Sequence, residues 1–217
     1  LIVLLPTAAL GQGQLLSYSL KPAVQSGDGY PQVYLKAESD FRKVTMSCER
    51  SDGETVQFSA GSTRKGKTVT FDLKQPTGTF RYRCEANGFY GTGDEEYFDL
   101  GFGFEAFLGG ALAIEVPRDD IDLKGGSLIA RADRPVQAAH LTLIGPDGPF
   151  FDSDLPVDEN EAGDDLWLEW DARGEILRMD ITLTDTWGFY SYENIFPWSL
   201  EIDHDDILFD TGSHEVT

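Results

Sequence analysis

Cys48 and Cys84 are the residues of this sequence best placed to react with each other. Each lies in a run alternating apolar with polar residues, and Met46 and Tyr82 are their same-face neighbours, so both sulfurs are expected to face a core. In an exported chain they are expected to form an intradomain disulfide; the alternative is a pair of buried thiols. Redox activity has no support, because there is no Cys-x-x-Cys motif and no His in that part of the chain. A second group is acidic: Asp152, Asp154, Asp158, Glu159, Asn160, Glu161, Asp164 and Asp165. Hard oxygen ligands of this kind suit calcium, although their spacing is not that of an EF-hand loop, and the alternative is a solvated acidic loop. His140 falls on the polar phase of a strand and should face solvent. His204 sits in Asp203-His204-Asp205-Asp206, where consecutive side chains of an extended chain point to opposite faces and do not build one coordination sphere easily. A nucleophile elbow, a phosphate loop, a dinucleotide fingerprint and His-Glu-x-x-His are all absent. With 38 acidic residues, any chosen carboxylate pair carries little information, so the chain reads as non-enzymatic.

The elements that must hold these residues read as strands nearly throughout, with period two in Val44-Thr45-Met46-Ser47-Cys48 and Thr68-Val69-Thr70-Phe71-Asp72-Leu73. Asp52-Gly53 and Asp147-Gly148, each between alternating runs, are expected hairpin turns. The pattern also occurs twice. Val33-Tyr34-Leu35-Lys36-Ala37 has a counterpart in Ser127-Leu128-Ile129-Ala130-Arg131-Ala132, and Gly88-Phe89-Tyr90 in Gly188-Phe189-Tyr190. The repeat makes the strands of Cys48 and Cys84 equivalent to those of Leu143 and Leu183. The expected fold is all-β: two tandem immunoglobulin-like β-sandwich domains, at 15–105 and 111–202. The cysteine spacing is short for an immunoglobulin domain proper, and the first copy has no Trp.

The segment from Gly101 to Gly110 reads as the joint between the copies, with Phe102, Phe104 and Phe107 packing between the domains and limiting their swing. Asp152 to Asp165 reads as the longest loop. Of the aromatic residues in the second copy, Trp187, Phe189, Tyr190 and Tyr192 belong either to a core or to a turn that presents rings to a glycan or partner protein.

The net charge of −21 is lopsided. Residues 111–217 hold 6 Lys+Arg against 25 Asp+Glu, a balance of −19, so the second copy repels nucleic acid and anionic lipid. Residues 1–11 resemble the apolar core and small-residue cleavage region of a secretory signal, which places the chain outside the cytoplasm.

Three stretches carry a family resemblance: Asp185-Thr186-Trp187-Gly188-Phe189-Tyr190, Pro197-Trp198-Ser199-Leu200-Glu201-Ile202, and His204 through Ser213. Together they resemble exported OmpA-family proteins of myxobacteria and related deltaproteobacteria, which place sandwich-like repeats ahead of a peptidoglycan-associating domain. Residues 203–217 look like the start of that domain. The resemblance implies a cell-envelope spacer or interaction protein, in the periplasm, at the outer membrane or outside the cell. It would touch peptidoglycan only through a domain beyond Thr217. Expected partners are other envelope or appendage proteins, with no nucleic acid and no cofactor other than calcium. The alternative is a self-associating subunit of an extracellular filament, or a calcium-dependent adhesin, assembled through edge strands or the acidic face.

Overall fold

A computed structural model describes residues 15–90 and 96–196. The fold is all-β and of sandwich type, and among the described residues the single helical turn is a three-residue 3-10 segment at Arg118–Asp120. Among the described residues no helix is long and apolar enough to cross a membrane. The chain divides into two compact units. One comprises the described residues up to Ala113 together with Thr184–Ser191; the other comprises Ile114–Leu183 and the described residues from Tyr192.

In the first unit the strands are β1 (Leu16–Lys21), β2 (Ala23–Gln25), β3 (Gln32–Ala37), β4 (Lys43–Arg50), β5 (Thr55–Ala60), β6 (Thr68–Asp72), β7 (Gly78–Tyr90) and β8 (Glu96–Gly109). They form a three-stranded sheet, β1-β3-β6, and a five-stranded sheet, β2-β8-β7-β4-β5. Period-two alternation explains how the sheets close on each other. Val33, Leu35 and Ala37 of β3 and Val44, Met46 and Cys48 of β4 are buried in one cluster with Phe71, Tyr82, Cys84, Ala86 and Phe102.

The remaining strands are β9 (Ile114–Glu115), β10 (Ile121–Asp122), β11 (Ser127–Ala132), β12 (Val136–Gly145), β13 (Gly148–Leu155), β14 (Leu166–Glu169), β15 (Arg178–Asp185) and β16 (Tyr190–Ile195). Their pairing orders, β10-β11-β14 and β13-β12-β15-β16, repeat β1-β3-β6 and β5-β4-β7-β8. The duplication is thus visible in topology, with β3 matched to β11, β4 to β12 and β7 to β15. Leu143 and Leu183 are as fully buried as Cys48 and Cys84. Both Asp-Gly turns form as expected: Gly53 (φ 91°) and Gly148 (φ 110°) take the left-handed region that a tight hairpin needs.

Three expectations need correction. The segment Gly101 to Gly110 is no joint, since residues through Gly109 belong to β8, which pairs with β7 from Glu96 to Leu108. Gly101 and Gly103 are exposed, whereas Phe102 is buried in the core of the first unit and Phe104 packs half-buried against it. Phe102 stacks on Tyr18 at 4.1 Å between ring centroids, and Phe104 on Tyr82 at 5.5 Å. Asp152 to Leu155 are not loop either; they complete β13. Finally, the triplets Gly88-Phe89-Tyr90 and Gly188-Phe189-Tyr190 are not structural equivalents. The first ends strand β7, whereas the second crosses from a turn into β16, because β15 stops at Asp185.

Candidate functional site

Cys48 and Cys84 form a disulfide. They are direct cross-strand partners on β4 and β7, with Cα atoms 4.1 Å apart and no exposed surface. The bond therefore ties neighbouring strands of one sheet, unlike the sheet-to-sheet bridge of an immunoglobulin domain. Its sulfurs sit in an apolar shell where neither reductant nor substrate reaches them, so the pair is structural.

The seven carboxylates proposed for calcium are not gathered into one sphere. Asp152 and Asp154 project from β13 toward β12, where their direct partners are Thr142 and His140. The imidazole of His140 bridges them, Nε2 to Asp152 at 2.7 Å and Nδ1 to Asp154 at 2.8 Å, and the Thr142 hydroxyl donates to Asp152 at 3.0 Å. Asp158, Glu159, Asp164 and Asp165 instead line a surface cleft of about 480 Å³ together with Trp167, which is 66% exposed. Within it, Asp164 accepts the Glu161 N–H at 2.8 Å and Asp165 accepts from Arg131 at 2.6 Å. Asn160 clamps the loop to the start of β12, exchanging hydrogen bonds of 2.9 and 2.8 Å with the backbone of Val136. Among the described residues no group of three or more His, Cys, Asp or Glu is arranged to hold a metal ion.

The His140 cluster joins one imidazole, two carboxylates and a hydroxyl across β12 and β13. Hydrogen bonding to Asp154, then to Asp152, raises the His140 pKa against a smaller opposing desolvation. The Thr142 hydroxyl and then His140 hold Asp152 below the usual carboxylate range. Because the folded state favours the imidazolium, its stabilisation is complete below the unfolded His pKa of about 6.5 and is lost as pH rises through the higher folded value. The expected result is a proton-NMR titration midpoint for His140 above about 6.5, which His140→Gln abolishes together with the matching pH dependence of stability. A midpoint at or below that value contradicts the bridge.

The expected aromatic site resolves into two kinds of residue. Trp187 and Phe189 both pack on Phe107, each with ring centroids 5.7 Å away. The sequence-based reading of Phe107 as an interdomain ring is thereby replaced, because Trp187 and Phe189 belong to the same compact unit as Phe107. Asp185 builds their turn. Fully buried, its Oδ1 accepts the N–H groups of Trp187 and Phe189, both at 2.9 Å, and its own N–H bonds the Phe189 carbonyl at 2.8 Å. Tyr190 and Tyr192 remain exposed on β16, at 70% and 55%, and Tyr192 donates to Asn194 at 2.7 Å. Pro197, Trp198 and the 203–217 segment, with His204 and His214, lie outside the described residues, as do residues 1–11.

Sequence reasoning missed Arg50. Its side chain is 4% exposed on the inner face at the end of β4, stacked 4.8 Å from the Phe80 ring centroid. It makes a two-pronged contact with Asp52 at 2.9 and 2.7 Å and also binds Glu54. The Arg50 guanidinium holds Asp52 below the usual carboxylate range, and burial raises the pKa of neighbouring Tyr82. The alternation of β4 signalled an inward position, and the acids two and four residues later were the clue to its charge partners. This cluster fastens the β4–β5 hairpin.

No protein-family model matches this chain, and no curated protein matches it.

Proposed function

We propose that the protein is an exported, non-enzymatic envelope protein whose two β-sandwich units act as spacer or interaction modules. In the parent architecture they would lead into a peptidoglycan-associating domain of the OmpA family. The observation that supports this reading best is the disulfide. A fully buried cross-strand Cys48–Cys84 bond is compatible with an oxidising compartment, and the signal-like residues 1–11 agree with export. The polar clusters also favour structure over turnover: His140 is spent on two aspartates, Arg50 on its own hairpin and Asp185 on backbone amides.

The test is fractionation of the native host, followed by intact mass with and without reductant. Recovery in the envelope fraction, with a mass two hydrogens lighter before reduction, is the expected result. Cytosolic recovery with two free thiols sinks the proposal.

A further inference from the structure

We infer that the first unit binds an acidic polysaccharide where its β3–β4 and β5–β6 connections lie side by side. The topology brings together two segments that are distant in the sequence. Phe41 and Thr63 carry the β4–β5 pairing onward, with backbone bonds of 2.8 and 2.9 Å. Ala37 carries the β3–β6 pairing onward, donating to the Lys67 carbonyl at 2.9 Å and accepting the Gly66 N–H at 2.7 Å. Residues 36–43 and 61–68 are thereby neighbours. They carry Lys36, Arg42, Lys43, Arg64, Lys65 and Lys67 against only Glu38 and Asp40, a local balance of +4 in a chain of −21.

Both acids are already engaged. Lys36 binds Glu38 at 2.7 Å, and Asp40 accepts the Lys65 backbone N–H at 2.7 Å. Arg42, Lys43, Arg64, Lys65 and Lys67 are all exposed, and among the described residues none of the five has an ion pair. In the rest of the chain Arg50, Arg81, Arg131 and Arg178 are each held by a carboxylate. Like charges gathered in one place repel one another, and an anion supplied from outside relieves that repulsion. The β5–β6 connection also has a fixed shape. Besides the bonds above, Lys67 donates its backbone N–H to the Arg64 carbonyl at 3.0 Å, Gly66 takes φ 79°, and the Thr63 hydroxyl donates to the Gly61 carbonyl at 3.1 Å. Gly61, Gly66, Lys67 and Thr68 have the spacing of a nucleotide phosphate loop, yet the segment lacks what makes one. It runs into strand β6 and not into a helix whose N-terminal N–H groups would cradle phosphate, so side chains must do the binding.

The neighbouring side chains point to a sugar chain. Arg64 and Lys67 line a cleft of about 490 Å³ with Ser62 and Thr68. Lys43 lines a second cleft of about 490 Å³ with Thr45, Ser47, Gln57, Ser59 and Asn87, and the two adjoin at the consecutive residues Ser59 and Ala60. Hydroxyls and amides exchange hydrogen bonds with sugar hydroxyls, while Arg64, Lys67 and Lys43 take the charges of carboxylate or other oxyanion groups on the same chain. None of the large apolar side chains exposed among the described residues belongs to either cleft, so this surface has no ring to stack on bases and no wedge to enter a bilayer. The inference rests on the first unit alone and holds whether or not the OmpA resemblance does.

Fluorescence anisotropy of a short labelled oligogalacturonate, titrated with the full chain, tests it. The expected Kd lies below about 1 mM and weakens as salt is added, and neutral dextran does not bind. Arg64→Glu with Lys67→Glu should weaken binding at least about ten-fold. Lys21→Glu with Arg83→Glu changes the charge equally at exposed residues outside both clefts and should leave the Kd within about two-fold. Thermal unfolding of both variants should match wild type; if the first pair fails to fold, Arg64→Gln with Lys67→Gln should show the same loss. Absence of binding at 1 mM by this order of magnitude, equal binding of dextran, tighter binding of phosphatidylglycerol vesicles or duplex DNA at the same concentration of charge, or equal losses in the two charge-reversed pairs overturns the proposal.

Discussion

Replacing Cys48 and Cys84 together by alanine should lower the unfolding free energy by about 3–4 kcal/mol, the loop-closure contribution of a bond spanning 36 residues. Because both side chains have no exposed surface, lost packing adds to that figure. Urea unfolding read by tryptophan fluorescence and circular dichroism measures the change, and a loss below about 1 kcal/mol would show that the bond constrains little. Reductant alone should act slowly on the folded wild type, at the rate at which the first unit opens. The second unit offers an internal comparison: Leu143 and Leu183 occupy the matching strands without a covalent bond. Leu183→Ala should therefore cost about 2–5 kcal/mol through transfer and cavity effects alone.

The second large effect is expected at Asp185. Asp185→Ala removes the fully buried carboxylate that accepts the N–H groups of Trp187 and Phe189, and should destabilise the fold by about 2–4 kcal/mol. Asp185→Asn keeps an oxygen where Oδ1 stands and should lose clearly less. The readout that separates turn loss from general destabilisation is Trp187 itself. Its ring should leave Phe107 in the alanine variant, shifting the indole emission to the red under conditions where the sheets still give their native circular dichroism. Equal behaviour of the two variants, with no emission change, would show that the carboxylate does not organise the turn.

These two residues differ in how legible they were. Cys48 announced itself: its type, its alternating strand and its same-face neighbour Met46 together required an inward sulfur. Asp185 did not, because an acidic residue after Ile181-Thr182-Leu183-Thr184 reads as the polar end of a strand, and only the turn wrapped around its carboxylate shows why it is buried. His140 was placed correctly on the outer face. Its bridge to Asp152 and Asp154 needed the β12–β13 register, which the Asp147-Gly148 turn and the shift near Leu143 set together. The Gly101 to Gly110 segment was misread for a definite reason. Its composition, glycine with phenylalanine, suits a joint, while its period, glycine out and phenylalanine in, suits a strand. Pairing with β7 along that length favours the period.

What the sequence determined by itself is what local covalent geometry controls. Side-chain alternation marked the strands and their buried faces, Asp-Gly marked two hairpins, and the repeat marked the strand correspondence between the units. Tertiary structure alone decided which strands are neighbours. That choice put the disulfide inside one sheet, divided the acidic residues between a histidine bridge and a separate cleft, and buried Asp185 and Arg50. The physical reason is that strand pairing joins residues far apart in the chain. Its outcome rests on loop closure and on the competition among many similar strands, and neither is written in the period of any one segment.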